Sequence, residues 1–230
     1  MQAFTVQSVA FGYRSRAVFT DLSLAVPRGA LTALVGGNGA GKSTLLSLLA
    51  GVHKPHAGRV QAHIPGRAAL VVQRSAVPDA FPITVQGAVG MGRWAHSGLL
   101  GRTTAKDRRA VEEAMERLGI RELADRPLGE LSGGQRQRAL VAQGLAQDSG
   151  VLLLDEPDAG LDQSALQLIN EVLRAEVRRG VTVLQSTHDA ARAATADCCI
   201  RLAGGKAAVE TPDDAVPGSR CGLERTPDFP

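Results

Sequence analysis

A glycine-rich loop at residues 36–43 constrains this chain more than any other feature of its sequence. The loop fits the pattern G-x-x-x-x-G-K-[ST] and reads Gly36-Gly37-Asn38-Gly39-Ala40-Gly41-Lys42-Ser43. The apolar run Leu31–Val35 precedes it, and a helix is predicted from about Lys42 to Ala50. Glycines let backbone N–H groups curl around a phosphate, and a helix N-terminus adds partial positive charge. The sequence therefore predicts a phosphate-binding loop between a strand and a helix.

The residues of this loop have distinct expected roles. Lys42 is expected to reach the β- and γ-phosphates of a nucleotide, and the Ser43 hydroxyl is expected to ligate Mg²⁺. Thr44 continues the helix and completes the set of candidate ATP-binding residues in this segment.

A second nucleotide element is predicted at residues 151–156. Val151–Leu154 is a continuous apolar run, which is typical of a strand covered on both faces. Two acids follow it, and open α/β sheets bind their ligands at the carboxyl ends of such strands. Asp155 is expected to hold Mg²⁺, and Glu156 is expected to polarise the attacking water.

The order of predicted elements indicates an α/β protein with an inserted helical block. Strands are predicted at Phe4–Val9 and Val18–Val26, and helix-spaced apolar residues occur around Val111 and again around Ile169. Because strands and helices alternate at both ends of the chain, we expect a parallel α/β core. The helical subdomain is expected at about residues 81–147.

Composition excludes several classes of protein. Hydrophobic residues are 44% and charged residues 21%, which fits a folded globular chain, and the apolar runs are too short to span a bilayer. The formal charge is only +3 and aromatic residues are 3%, so we expect no nucleic-acid partner. Three cysteines suggest no disulfide framework and favour a reducing cytoplasm.

The pentapeptide before the second nucleotide element identifies a family. It reads Leu131-Ser132-Gly133-Gly134-Gln135 and resembles the signature of ATP-binding cassette (ABC) ATPases. The resemblance covers about residues 3–206. It implies a P-loop NTPase core with a mixed or parallel sheet, an antiparallel N-terminal β-subdomain and the inserted helical subdomain. Residues 207–230, which contain several prolines, are expected to form an irregular tail.

The resemblance extends to further motifs of the family. Tyr13 is similar to the aromatic residue that stacks on adenine, and Gln73 resembles the Q-loop glutamine that touches Mg²⁺. Asp162, in Ala159-Gly160-Leu161-Asp162, resembles the D-loop residue at the dimer seam. His188 resembles the switch histidine that contacts the γ-phosphate. Two departures are visible: Gly37 stands where a proline is usual, and the pair Gln185-Ser186 is more polar than the usual strand end.

The family resemblance implies an ATPase that needs ATP, Mg²⁺ and a second copy of itself. One set of motifs forms half of a nucleotide sandwich, so the signature segment is expected to grip the nucleotide of the partner subunit in a homodimer. The resemblance also implies an integral-membrane permease, and a periplasmic or extracellular metal-binding protein that acts with it. The chain is therefore expected in the cytoplasm, peripheral to the inner face of the cell membrane.

The run Phe81–Gly98 bears on the transported substrate. It includes Val89-Gly90-Met91-Gly92-Arg93-Trp94 and resembles the membrane-facing segment of zinc- and manganese-type importer ATPases. Iron-siderophore and haem importers have related versions, so import of an iron complex is the alternative, followed by a soluble non-transport ABC ATPase. His53, His56 and His63 could begin a metal site, but no acidic or thiol ligand accompanies them, and an exposed loop is the preferred interpretation.

Overall fold

The computed structural model describes residues 1–14, 16–73, 82–94, 103–158 and 160–210. Within these ranges the chain forms two sheets with helices packed against them. The strands are β1 Gln2–Tyr13, β2 Arg16–Pro27, β3 Leu31–Val35, β4 Ala57–Ala62, β5 Ala69–Val71, β6 Val151–Leu154, β7 Thr182–Ser186, β8 Cys198–Ala203 and β9 Lys206–Glu210. The helices are α1 Lys42–Leu49, α2 Val85–Gly90, α3 Ala105–Arg117, α4 Gly133–Ala146, α5 Gln163–Arg178 and α6 Ala190–Ala193.

The smaller sheet is antiparallel and has the strand order β2-β1-β4. Phe4 and Val6 alternate with more exposed residues along β1, so one face of this sheet is apolar. That face belongs to the same buried cluster as Leu45 and Leu46 of α1 and Leu153 of β6. Helix α1 therefore lies in an apolar layer shared by the two sheets.

The larger sheet has the order β5-β6-β7-β3-β8-β9 and is parallel except at β9. Strand β7 lies between β3 and β6, and all three run in the same direction. Their carboxyl ends therefore meet at one edge of the sheet, where ligands bind in open α/β folds. The phosphate loop leaves β3 at this edge, and Asp155 and Glu156 leave β6 there.

A second buried cluster joins the other face of this sheet to the helices. The predicted inward face of α3 is confirmed, because Val111, Ala114, Met115 and the following Leu118 are all buried. Gly119 follows with a φ of 56°, a conformation that suits a glycine just after a helix end. The fold class predicted from the sequence, with its antiparallel N-terminal subdomain and its helices, is therefore confirmed.

The segment predicted to face a permease is joined to α3 by a buried ion pair. The Arg93 Nε atom donates to Asp107 Oδ1 at 2.8 Å, and Arg93 Nη1 donates to the Ala146 carbonyl at 2.8 Å. Arg93 is buried, whereas its neighbour Trp94 is 46% exposed. Arg93 therefore connects α3 to the end of α4. Of the two neighbours Arg93 and Trp94, Trp94 is the one whose side chain is available to another protein. Phe81 and residues 95–98 lie outside the described residues.

The prediction of an irregular tail from residue 207 is wrong for residues 207–210. Residues 206–210 instead form β9, which pairs antiparallel with β8. Gly204 and Gly205 both have positive φ angles, of 57° and 76°, and make the tight turn that returns the chain beside β8. Residues 211–230 lie outside the described residues. None of the helices in the described ranges is long and apolar enough to cross a bilayer.

Candidate functional site

The phosphate loop connects β3 to α1 with backbone geometry that only glycine adopts easily. Gly39 and Gly41 have φ angles of 77° and 99°, in the left-handed region. Gly41 is the residue that precedes α1, so the free N–H groups of the first helical turn face the loop. This arrangement presents partial positive charge to an anion.

Lys42 is the first residue of α1, and its side chain reaches back to the start of the loop. Its side chain is buried, and Nζ donates to the Gly36 carbonyl at 2.8 Å and to the Gly37 carbonyl at 3.2 Å. The ammonium group is thus held inside the curve of the loop. A phosphate that entered the loop would meet a fixed cation and would need little rearrangement of the side chain.

A cavity of about 760 Å³ opens at this loop. That volume is in the range expected for a site that takes a small molecule or cofactor. Most of the predicted ATP-binding residues line it, together with two residues predicted for catalysis: Tyr13, Asn38, Gly39, Ala40, Gly41, Lys42, Ser43, Thr44, Gln73 and Glu156. Gly36 and Gly37 contribute to the site through their bonds to Lys42 and do not line the cavity.

Tyr13 ends β1 at the mouth of the cavity. It is 47% exposed, although its ring edge packs on Phe11 with a centroid separation of 5.1 Å. The His53 ring also makes an edge contact with the Tyr13 ring, with a centroid separation of 5.6 Å. An exposed aromatic ring held in this way offers an apolar surface to a flat ligand group.

The two acids after β6 have different surroundings. Asp155 is buried, and its backbone N–H donates to the Val71 carbonyl at 2.9 Å. Glu156 is half-buried and lines the cavity, where Gln73 Nε2 donates to its Oε2 atom at 2.8 Å. The structure therefore brings Gln73 and Glu156, which are 83 residues apart in sequence, together in the lining of the cavity that also contains the phosphate loop.

The signature segment lies outside this cavity. Ser132 caps the N-terminus of α4: its Oγ accepts from Gln135 N at 3.3 Å, while Gln135 Oε1 accepts from Ser132 N at 3.0 Å. Ser132 is exposed, and none of Leu131, Ser132, Gly133, Gly134 and Gln135 lines the cavity. The pentapeptide therefore presents a capped helix N-terminus on a separate surface of the chain.

Asp162 and His188 also lie outside the cavity lining. Asp162 caps α5, and the bond from Ala165 N to its carboxylate, followed by that from Ser164 Oγ, lowers the pKa of Asp162. Ala159 lies outside the described residues. His188 is exposed just after β7, where the preceding Thr187 Oγ1 donates to Asp158 at 2.9 Å.

Arg16 is a residue of the cavity that the sequence reasoning missed. It lines the wall next to Tyr13, and its Nη2 atom lies 3.8 Å from the position that a Cβ on Gly39 would take. This guanidinium adds a second cation, besides Lys42, near the phosphate loop. The sequence signal was a basic residue three positions after the aromatic that was expected to contact adenine.

The three histidines in residues 53–63 do not form one cluster. His53 and His56 pack against the ring of Phe11, with centroid separations of 5.2 and 5.1 Å. His63 is elsewhere, with Nε2 2.8 Å from Thr5 Oγ1. Across the described ranges, no group of three or more His, Cys, Asp and Glu side chains is arranged to hold a metal ion.

A phosphate loop at a strand–helix junction, with two acids at the carboxyl end of β6 in the same sheet, defines a P-loop ATPase. Residues 19–159 match the ABC transporter family. The chain belongs to this family, and it is an ATPase.

Known relatives include ATP-binding proteins of more than one kind of transport system. The manganese transport system ATP-binding protein MntA of Synechocystis is 40% identical over 200 residues, which cover 83% of this chain and 77% of that one. The iron(3+)-hydroxamate import ATP-binding protein FhuC of Bacillus subtilis is 36% identical over 208 residues, covering 84% and 76%. A solved ABC transporter in an inward-facing conformation superposes with a TM-score of 0.83 at 28% identity, covering 93% and 85%.

Proposed function

We propose that this chain is the ATP-hydrolysing subunit of an ABC importer that takes up a divalent metal ion, zinc or manganese, through a partner permease. The observation that carries the enzymatic part is the convergence of Lys42 and the Gln73–Glu156 pair on one cavity. A cation for the phosphates and an acid for the water are the two groups that ATP hydrolysis requires at one place.

The phosphate loop is proposed to hold the nucleotide. Tyr13 stacks on adenine, and the backbone of residues 36–41 surrounds the phosphates. From its position inside the curve of the loop, Lys42 Nζ contacts the β- and γ-phosphate oxygens. Its present bonds support this role, because they keep the ammonium group where those oxygens enter.

A Mg²⁺ site is proposed from Ser43, Gln73 and Asp155. These residues offer a hydroxyl, an amide carbonyl and a carboxylate, and oxygen ligands of this kind suit Mg²⁺. Ser43 and Gln73 already line the cavity, and Asp155 leaves β6 at the same edge of the sheet. The metal ion supplies neutralisation of phosphate charge when it is bound.

Glu156 is proposed as the group that activates water, with His188 and Gln73 as its catalytic partners. Gln73 orients the Glu156 carboxylate through their 2.8 Å bond. His188 follows β7, the strand between those that carry the phosphate loop and Glu156. This placement supports a contact between His188 and the γ-phosphate.

A homodimer is proposed to complete each nucleotide site. Ser132, Gly134 and the rest of the signature segment form a capped helix N-terminus that is exposed and away from the chain's own cavity. A helix N-terminus attracts phosphate, so this surface is suited to the γ-phosphate held by a partner subunit. Asp162, at the start of α5, is proposed to lie at the seam of the dimer.

The proposed cargo rests on two observations. The run that contains Met91-Gly92-Arg93-Trp94 resembles that of zinc- and manganese-type importers, and a manganese transport relative is 40% identical. A ferric-hydroxamate import relative is 36% identical over a slightly longer stretch, which makes an iron-complex importer the second candidate. In either case the permease and an external binding protein select the cargo. The ATPase lies at the cytoplasmic face of the membrane.

Uptake measurements in the native cell test this proposal. Cells that lack this chain are given back either the wild type or Lys42→Ala, and uptake of radioactive zinc, manganese and ferric siderophore is measured. Loss of zinc or manganese uptake that only the wild type restores is the expected result. Loss confined to the iron complex would assign the chain to the second candidate. Unchanged uptake of all three would refute the importer assignment for these cargoes.

A further inference from the structure

A buried serine lies at the carboxyl end of β7, beside the two acids of the candidate site. Ser186 is the last residue of this strand and is fully buried. It belongs to the polar pair Gln185-Ser186, which departs from the usual apolar strand end. None of the roles proposed above uses it.

The Ser186 hydroxyl contacts both acids at once. Its Oγ atom donates to Asp155 Oδ1 at 2.8 Å and accepts from the backbone N–H of Glu156 at 2.8 Å. Among the described residues, Oδ2 of Asp155 receives no hydrogen bond, so this oxygen is available to a cation. One hydroxyl therefore orients the carboxylate of one acid and the peptide group of the next.

Glu156 needs such a restraint because its backbone is strained. Its φ angle is 46°, in the left-handed region that side chains other than glycine seldom adopt. Strained residues of this kind persist where several contacts determine their conformation together. For Glu156 these contacts are the bond from its N–H to Ser186 and the bond from Gln73 to its carboxylate.

The two hydrogen bonds of the Ser186 hydroxyl are not needed to pair the strands of the sheet. Strands β6 and β7 are already paired by their backbones up to Leu154 and Gln185, and Asp155 N is bonded to the Val71 carbonyl of β5. What the Ser186 hydroxyl adds to this pairing is the direction of one carboxylate and of one peptide N–H.

We propose that Ser186 is a positioning residue for ATP hydrolysis: it holds Asp155 in the orientation that ligates Mg²⁺ and fixes the backbone that carries Glu156. This inference rests on the roles of the two acids in the proposed function. Groups that orient a metal ligand through a hydrogen bond commonly change metal affinity or activity by about 10–100-fold when they are removed. The nucleotide itself, held by Lys42 and its loop, does not depend on Ser186.

The test compares Ser186→Ala with a matched serine at the opposite end of β6. Ser149 Oγ also has two partners, donating to the Arg67 carbonyl at 2.6 Å and accepting from Val151 N at 3.1 Å. Ser149→Ala removes a similar pair of bonds far from the acids. Binding of a fluorescent ATP analogue is measured in EDTA and during a Mg²⁺ titration, and the melting temperature and hydrolysis rate are measured on the same samples.

The expected result is specific for the metal. In EDTA, Ser186→Ala should bind the analogue as the wild type does. In the titration it should need about 10–100-fold more Mg²⁺ to reach half of the change that Mg²⁺ causes in analogue binding, and it should hydrolyse ATP more slowly. Ser149→Ala should keep the wild-type Mg²⁺ dependence. The proposal would be overturned if Ser186→Ala showed the wild-type Mg²⁺ dependence. It would also be overturned if analogue binding were weakened equally in EDTA and in Mg²⁺.

A second pair of variants covers the case in which Ser186→Ala does not fold. Ser186→Thr and Ser186→Val have the same shape, and only the first keeps the hydroxyl. We expect Ser186→Val to need about 10–100-fold more Mg²⁺ than Ser186→Thr. Equal Mg²⁺ requirements of these two variants would refute the role of the hydroxyl. Failure of the proposed function is distinguishable, because wild-type protein would then show no Mg²⁺-dependent hydrolysis.

Discussion

Gly41→Ala tests the packing of the phosphate loop against the N-terminal sheet. Gly41 has a φ of 99°, and a Cβ built there would lie 2.6 Å from Phe19 Cζ and 2.9 Å from Val18 Cγ1 of β2. The left-handed conformation costs a residue with a Cβ about 1–2 kcal/mol. Forcing a methyl group into a packed core costs about 1–3 kcal/mol more. The free energy of unfolding should therefore fall by about 2–5 kcal/mol.

The matched control for this variant is Gly37→Ala in the same loop. A Cβ on Gly37 would have no atom of the described residues within 4 Å beyond its chain neighbours, and the φ of Gly37 is not in the left-handed region. Replacing it should leave the unfolding free energy within about 0.5 kcal/mol of the wild type. It also leaves Lys42 and its two carbonyl partners in place.

Thermal and urea unfolding, followed by circular dichroism, measure the effect. A loss of 2–5 kcal/mol corresponds to a fall in melting temperature of about 4–20 °C for a chain of this size. ATP affinity should fall in Gly41→Ala as well, because relief of the clash moves the start of α1. Equal stability of the two alanine variants would refute the packing described for Gly41 and Phe19.

Three further predictions concern the site and the helical subdomain. Glu156→Gln keeps an acceptor for Gln73, so folding and ATP binding should survive. The rate of phosphate release should fall by about 10²-fold or more, and gel filtration should show an ATP-bound dimer. Normal turnover would contradict the role of the acid. Lys42→Ala should lower ATP affinity at least about tenfold in equilibrium binding, and wild-type affinity would remove the phosphate-loop assignment. The bonds from Thr104, and then that from Arg93, hold the pKa of Asp107 well below its unfolded value of 3.8. A lowered pKa stabilises the fold at pH values above the unfolded pKa, so the melting temperature of Asp107→Asn should be below that of the wild type at pH 7. The difference between the two melting temperatures should shrink below about pH 4. A difference independent of pH would argue against the bonds from Thr104 and Arg93 to an ionised Asp107.

The elements that the sequence predicted well are those with strong local signals. Val151–Leu154 is a strand because its apolar side chains are buried on both faces, and the helix predicted from about Lys42 to Ala50 is observed at Lys42–Leu49. The turn at Gly204 was missed, and with it β9, because two glycines and a short alternation are a weak signal before a proline-rich segment.

Contacts between distant segments could not be predicted from spacing. Ser186 and Asp155 are 31 residues apart and meet only because β6 and β7 are parallel neighbours. Arg93 has the sequence character of a surface residue, and its burial depends on Asp107 and on the end of α4, which come together in three dimensions. Burial of a charge requires a partner, and no local pattern identifies that partner.

The central claim is that two copies of this chain share each ATP. It is tested by counting trapped nucleotide in a covalently linked tandem dimer that carries Glu156→Gln in both halves. Lys42→Ala in one half and Ser132→Arg in the other place both lesions at one site and leave the second intact. Both lesions in the same half instead damage both sites. The account predicts one ATP trapped per dimer in the first arrangement and none in the second, and equal trapping in the two arrangements would contradict it.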